Sequence, residues 1–242
     1  MKLIFSPVPR SGSTALCEYI AYSSESTLSV EPYNPECNEN RQVTLKDKFE
    51  EIQTYDIIKI LGWPLDILDN FEIIDVAEKI IFLYRESVLD TMLSNIVSMT
   101  YSGDYKIYSK HRLKNSFQND VAQSLLNDFY SEVRPPIDLK EFAVCYFDFI
   151  KNIQCYYNYV KFYHSNKTLI VKYEDLYSEN QSLELDKIMH FLNLQAKNID
   201  SLSLMDASNK LNNYDTYKKI IPNLDEVMNW HKCLNENECL SK

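Results

Sequence analysis

Pro9-Arg10-Ser11-Gly12-Ser13-Thr14 is the stretch of this 242-residue chain best equipped to bind an anion. Arg10 brings a fixed charge and a fork of N–H donors. Ser11, Ser13 and Thr14 bring hydroxyl groups, and Gly12 lets the backbone approach a ligand closely. Three more residues stand out by type and position. Glu31 opens the run Glu31-Pro32-Tyr33-Asn34-Pro35, Lys59 interrupts an apolar run, and Arg85 ends another. Arg10 and Arg85 together suit a ligand with two separate anionic ends.

The elements around them decide whether that chemistry can be assembled. Leu3, Ile4 and Phe5 predict a short buried strand, Ser6 to Ser13 a turn, and Thr14 onward a helix with Leu16, Tyr19 and Ile20 on one face. Strand, tight loop and helix aim backbone N–H groups and a helix dipole at an anion. An ordinary strand-to-helix turn is the plainer alternative. The loop is not a Walker A motif, which needs two glycines and a Lys directly before Ser or Thr.

Thr27–Val30 predicts a second strand, and the two prolines after it forbid regular structure. Glu31 therefore sits where a strand gives way to a loop, near the first loop if the sheet is open and parallel; a solvated loop glutamate is the alternative. Residues 38–54 predict a polar helix with Val43, Leu45, Phe49 and Ile52 as its apolar contacts. Asp56–Gly62 predicts a third strand around Lys59. A lysine there is costly unless its charge finds a partner, reaches solvent or reaches a bound anion.

Leu65–Ala77 predicts a helix and Lys79–Tyr84 a buried strand. It ends at Arg85, and a helix follows with Val88, Leu89, Met92, Leu93 and Ile96 on one face. A P-loop NTPase would place an Asp at such a strand end to hold Mg²⁺; here a cation stands there. Arg85 as a surface ion-pair residue is the alternative.

Residues 100–140 hold no clean strand. Tyr101 to Phe117 is locally basic, with Lys106, Lys110, His111, Arg112 and Lys114, and Pro135-Pro136 breaks the chain again. A solvated loop fits this segment as well as a wall or lid over a site. Asp138–His164 predicts a long helix faced by Phe142, Tyr146, Phe149, Ile153, Tyr156, Tyr157 and Val160, followed by a strand at Thr168–Lys172. Gln181 to Leu194 predicts a helix with Leu183, Leu185, Ile188, Phe191 and Leu192 inward. Tyr217–Met228 predicts a last amphipathic helix and Leu234–Lys242 a frayed tail.

The length suits a single α/β domain over residues 1–242. The net charge of −10 argues against nucleic acid or another polyanion as partner. The six cysteines occur singly, without Cys-x-x-Cys or Cys/His ligand spacing, so a zinc site is not expected and free thiols in a reducing compartment are. No apolar stretch reaches the ~18 residues of a membrane helix, and the first strand starts almost at Met1. The expectation is a cytoplasmic protein without a membrane partner.

The loop Pro9–Thr14 resembles the 5′-phosphosulfate loop of the sulfotransferase family, whose donor is 3′-phosphoadenosine 5′-phosphosulfate (PAPS). Two further elements strengthen the resemblance: Arg85 at a strand end with Ser94 on the following helix, and Tyr173-Glu174-Asp175-Leu176 after a later strand. The Arg85 element departs from the usual form, with Glu86 and Ser87 in place of an acid or amide and Pro, and Ser94 one residue late. The resemblance spans roughly residues 2–230 and points to the bacterial-type branch.

It implies an α/β fold with a parallel sheet flanked by helices, P-loop-like, and a mostly helical insertion whose residues 100–140 wall or cover the acceptor. It implies that Arg10, Ser11, Gly12, Ser13 and Thr14 bind the donor's 5′ end. Arg85, Ser94 and Lys210 hold its 3′-phosphate, and Tyr173–Leu176 supports the donor site. Glu31 becomes the candidate base, Lys59 a basic group at the transferred sulfuryl, and His111 the second candidate base. The co-substrate is PAPS, its product 3′,5′-ADP, and no metal is implied. The acceptor is expected to be a small, soluble, neutral or cationic molecule attacking through a hydroxyl or an amine-type nitrogen. A small-molecule kinase of the P-loop class and a catalytically silent nucleotide-binding scaffold are the rival readings.

Overall fold

A computed structural model describes residues 1–33, 50, 52–62, 65–101, 119–195 and 214–239. The chain forms two compact units, one made of Met1–Glu86 with Phe149–Ala207, the other of Ser87–Asp148 with Ser208–Lys242.

The first unit is built on five parallel strands: β1 (Lys2–Ser6), β2 (Leu28–Val30), β3 (Ile57–Leu61), β4 (Lys79–Tyr84) and β5 (Thr168–Lys172), in the order β2-β3-β1-β4-β5. Its helices are α1 (Ser13–Ser24), α2 (Ile67–Val76), the later turns of a long helix α5 (Leu139–Tyr163), the short α6 (Tyr173–Leu176) and α7 (Gln181–Phe191). The apolar runs are near-continuous because both faces of the sheet are covered. Ile4, Ile57, Ile81 and Leu83 face Leu16, Ile20, Ile188 and Leu192 on one side. Leu3, Phe5, Ile58, Ile60, Ile80 and Phe82 face Ile73, Ile74, Tyr156 and Val160 on the other. This is the expected α/β arrangement of a parallel sheet flanked by helices.

Local chemistry fixes the element ends. Asp66 caps α2 by accepting from Leu68 N and Asp69 N. Lys167 closes the far end of α2, its ammonium donating to the carbonyls of Ile74, Asp75 and Ala77 at 2.8–3.0 Å. Asp138 starts α5 by accepting from Lys140 N and Glu141 N.

The second unit is helical: α3 (Val88–Asn95) with a π-helical continuation Ile96–Tyr101, α4 (Asn119–Ser131), the first turns of α5, α8 (Tyr214–Ile220) and α9 (Leu224–Cys239). Trp230 meets Phe142 and Tyr146 edge-on at 5.6 and 5.4 Å. Arg134, 6% exposed, donates to Phe129 O and lies over the Phe129 ring.

Three expectations change. The last helix is two helices, because Pro222 lacks the N–H and the room that a continuous helix requires. Asn223 takes over the break and exchanges hydrogen bonds with the backbone of Ile137. The end of the chain is not frayed from Leu234, since α9 continues to Cys239. Leu183 points outward, 68% exposed. The stripe of α7 runs through Leu185, Ile188, Met189 and Leu192, and helical spacing from these four puts Leu183 on the far side. Residues 102–118 of the segment read as an insertion lie outside the described residues. Among the described residues, no helix is long and apolar enough to cross a membrane.

Candidate functional site

Strand β1 lies at the centre of the sheet, and the chain moves to opposite sides of it to form β3 and β4. In open parallel sheets a ligand crevice forms outside the carboxyl ends of the strands at such a switch point. The segments leaving those ends are the Pro7–Gly12 loop, Glu31, Gly62, Arg85 and Tyr173.

The first loop is folded on itself. Ser6 Oγ donates to Val8 O at 2.7 Å and shares a 2.5 Å hydrogen bond with Ser11 Oγ, both serines being fully buried. The Ser11 hydroxyl thus stitches the loop to the strand, where the sequence suggested a ligand contact. Gly62 N donates to Ser6 O at 2.8 Å, and a Cβ on Gly62 would stand 2.4 Å from Pro7 O, so a side chain there would push the loop away.

At the other end of the loop Gly12 takes φ +79 and opens α1, whose first turn no side chain caps. Leu16 N is bonded to Gly12 O. The N–H groups before it stand at the positive end of the helix dipole, where an anion is favoured. Ser13 is 3% exposed, and Thr14 is half-buried in the first turn.

Two tyrosines wall this turn. A Cβ on Gly12 would meet the Tyr173 ring at 3.0 Å and the Tyr177 ring at 3.3 Å. Burial pushes the Tyr177 phenol up to about 12, the charge of Arg10 pulling the other way. Tyr177 was not anticipated, although it lies four residues after Tyr173, a spacing that puts both rings on one face. The same Tyr173 ring carries the Arg85 guanidinium at 4.6 Å, and Arg85 Nε stands 4.0 Å from Glu174 Oε1. Glu174 also accepts from Glu86 N at 3.2 Å, and Glu86 pairs with Lys172 at 2.6 Å. Tyr173 and Glu174 therefore join the two predicted anion sites, at Gly12 and at Arg85.

Glu31 and Lys59 meet as a buried ion pair, 14% and 2% exposed. Strand register dictates it: Val30 lies opposite Lys59, so the residue after β2 comes within reach of the ammonium. Lys59 is almost fully buried, and Glu31 supplies a partner for its charge. Four described residues other than glycine have positive φ. Glu25 ends α1 and Asn193 closely follows α7, where left-handed residues are common. Arg10 at φ 65 and Glu31 at φ 50 instead follow strands. Backbone strain of this kind collects at functional sites.

Ser87 N-caps α3 by accepting from Asp90 N, which accounts for a serine at the position where the resemblance expects Pro. Ser94 lies on α3 of the second unit and is buried. His111 and Lys210 lie outside the described residues.

No family model matches the chain. No curated protein matches it. Among solved structures it is similar to the unliganded crystal structure of a sugar kinase from Janibacter sp. HTCC2649. The two are 10% identical, the match covers 80% of this chain and 94% of that one, and the TM-score is 0.34.

Proposed function

We propose that this chain transfers a sulfuryl group from PAPS to a hydroxyl or amine-type nitrogen of a small soluble acceptor in the cytoplasm. The observation that carries this reading is Arg85 at the carboxyl end of β4, stacked on the ring that walls Gly12. A fixed cation thus stands on the strand next to an uncapped helix N-terminus. That pairing suits a nucleotide carrying a phosphate on its ribose as well as an anionic 5′ end.

In this reading the new bond to sulfur forms in line as the bond from sulfur to the 5′-phosphate oxygen breaks, releasing 3′,5′-ADP. Arg10 and the N–H groups of α1 stabilise charge on the transferring group and the leaving phosphate. Glu31 takes the acceptor's proton, and Lys59 holds that carboxylate by its ammonium. Arg85 fixes the register of the donor. His111 is the second candidate for the base. No step calls for a metal.

The test is thermal unfolding with 3′,5′-ADP beside ATP–Mg²⁺. A ligand at 100 times its Kd adds about 2.7 kcal/mol, a rise on the order of 5–10 °C for a chain of this size. The reading expects that rise with 3′,5′-ADP and little change with ATP–Mg²⁺. The reverse would replace it by a kinase, and no rise with either by a scaffold that binds neither nucleotide.

A further inference from the structure

Arg85 sits where its own strand cannot aim it, because β4 ends at Tyr84 and the guanidinium lies beyond the last strand residue. What meets it comes from β5. The parallel register sets Tyr84 opposite Lys172, which brings Tyr173 and Glu174 alongside Arg85 and Glu86. The Tyr173 ring then touches two things at once. Its edge lies against the α carbon of Gly12, where no Cβ fits without a shift, and its face carries the guanidinium 4.6 Å from the ring centre. The Glu174 carboxylate accepts from Glu86 N and lies 4.0 Å from Arg85 Nε, a nitrogen of the same guanidinium. A planar cation on an aromatic face keeps its charge and its fork of donors while losing its freedom to swing.

We infer that Tyr173 is a positioning residue for Arg85: its ring sets the distance between the guanidinium and the Gly12 turn, and so makes the site prefer a nucleotide phosphorylated at both the 3′ and 5′ positions over one phosphorylated at 5′ alone. The inference rests on the PAPS reading and adds to it a residue that acts through another.

Equilibrium titrations of the full chain with 3′,5′-ADP and with 5′-AMP test it. The parent's ratio of the two affinities is the reference. Tyr173→Leu and Tyr173→Met remove the ring, and they should lower that ratio about two- to thirtyfold, the range expected of one cation–π contact, while 5′-AMP affinity changes less than about threefold. Tyr173→Phe keeps the face and should keep the ratio. In an Arg85→Ala background, removing the ring should leave the ratio where Arg85→Ala alone puts it.

Two ring-less variants of different shape guard against one failing to fold. An unchanged ratio in either folded ring-less variant overturns the inference. So does an equal loss for both nucleotides, which would make Tyr173 a support of the loop alone. A parent with no preference for 3′,5′-ADP would instead overturn the PAPS reading, which separates the two failures.

Discussion

Lys59 holds Glu31 at two points: its carbonyl accepts the Glu31 N–H at 2.9 Å, and its ammonium pairs with the Glu31 carboxylate. A glutamate with φ 50 is thus pinned through backbone and side chain by one residue of the neighbouring strand. The lysine itself is a charge inside a sheet, tolerable only with a partner.

Breaking that pair leaves a buried charge alone. Lys59→Met and Glu31→Gln should each destabilise the protein, by about 3 kcal/mol for the more damaging of the two. The double variant should be less unstable than the sum of the single losses. Urea unfolding of the four proteins checks this; additive losses would mean that the pair carries no coupling.

Gly12 lies tight against two tyrosine rings and has a backbone that favours glycine. Gly12→Ala places a methyl 3.0 Å from the Tyr173 ring at φ +79. The left-handed conformation alone costs about 1–2 kcal/mol, so the melting temperature should fall by several degrees. Binding of 3′,5′-ADP should weaken as well, which calorimetric titration would show. A fully stable variant with parental binding would remove the close contact from the account of the site.

Arg85→Lys keeps the charge and loses the plane. An ammonium cannot stack on Tyr173 as a guanidinium does, nor present a fork to a phosphate. The expected result is weaker binding of 3′,5′-ADP, by about tenfold, with 5′-AMP almost unaffected. If Arg85→Lys bound 3′,5′-ADP as the parent does, Arg85 would be a general charge and not a shaped contact.

Asp56 sets a pH dependence. Its carboxylate accepts from Thr27 N at 2.9 Å and Thr27 Oγ1 at 2.8 Å, and these hydrogen bonds lower its pKa below the usual aspartate value. A carboxylate with a depressed folded-state pKa contributes stability above its unfolded pKa of about 3.9. That contribution is lost as pH falls through the folded value. Asp56→Ala should therefore be less stable than the parent at pH 7, and the gap should narrow toward pH 3. A gap independent of pH would assign the effect to packing.

The strands were legible because a sheet covered on both faces demands apolar runs, and Leu3–Phe5, Ile57–Leu61, Lys79–Tyr84 and Thr168–Lys172 supply them. The loop at Arg10–Thr14 and the strand-end Arg85 were legible by residue type alone. The pairing of Lys59 with Glu31 was not, because it depends on β2 lying beside β3 in a register that no local pattern states. Tyr177 stayed hidden for a similar reason: its ring matters only where it meets Gly12. Leu183 shows the limit of counting apolar residues, since a short helix shares its leucines between core and solvent.

The two halves of the Arg85 contact lie far apart along the chain: Lys172 pairs with Glu86 across 86 residues of sequence. A parallel neighbour cannot be made by a hairpin, so closing this one awaits the whole stretch of chain in between, with the entropy of a long loop to overcome first. During synthesis, the Gly12 turn can form while the chain is still short, but Arg85 gains its platform only after β5 has left the ribosome and docked. Ligand binding should therefore appear abruptly and late in refolding, in step with the edge strand and not with the appearance of helix.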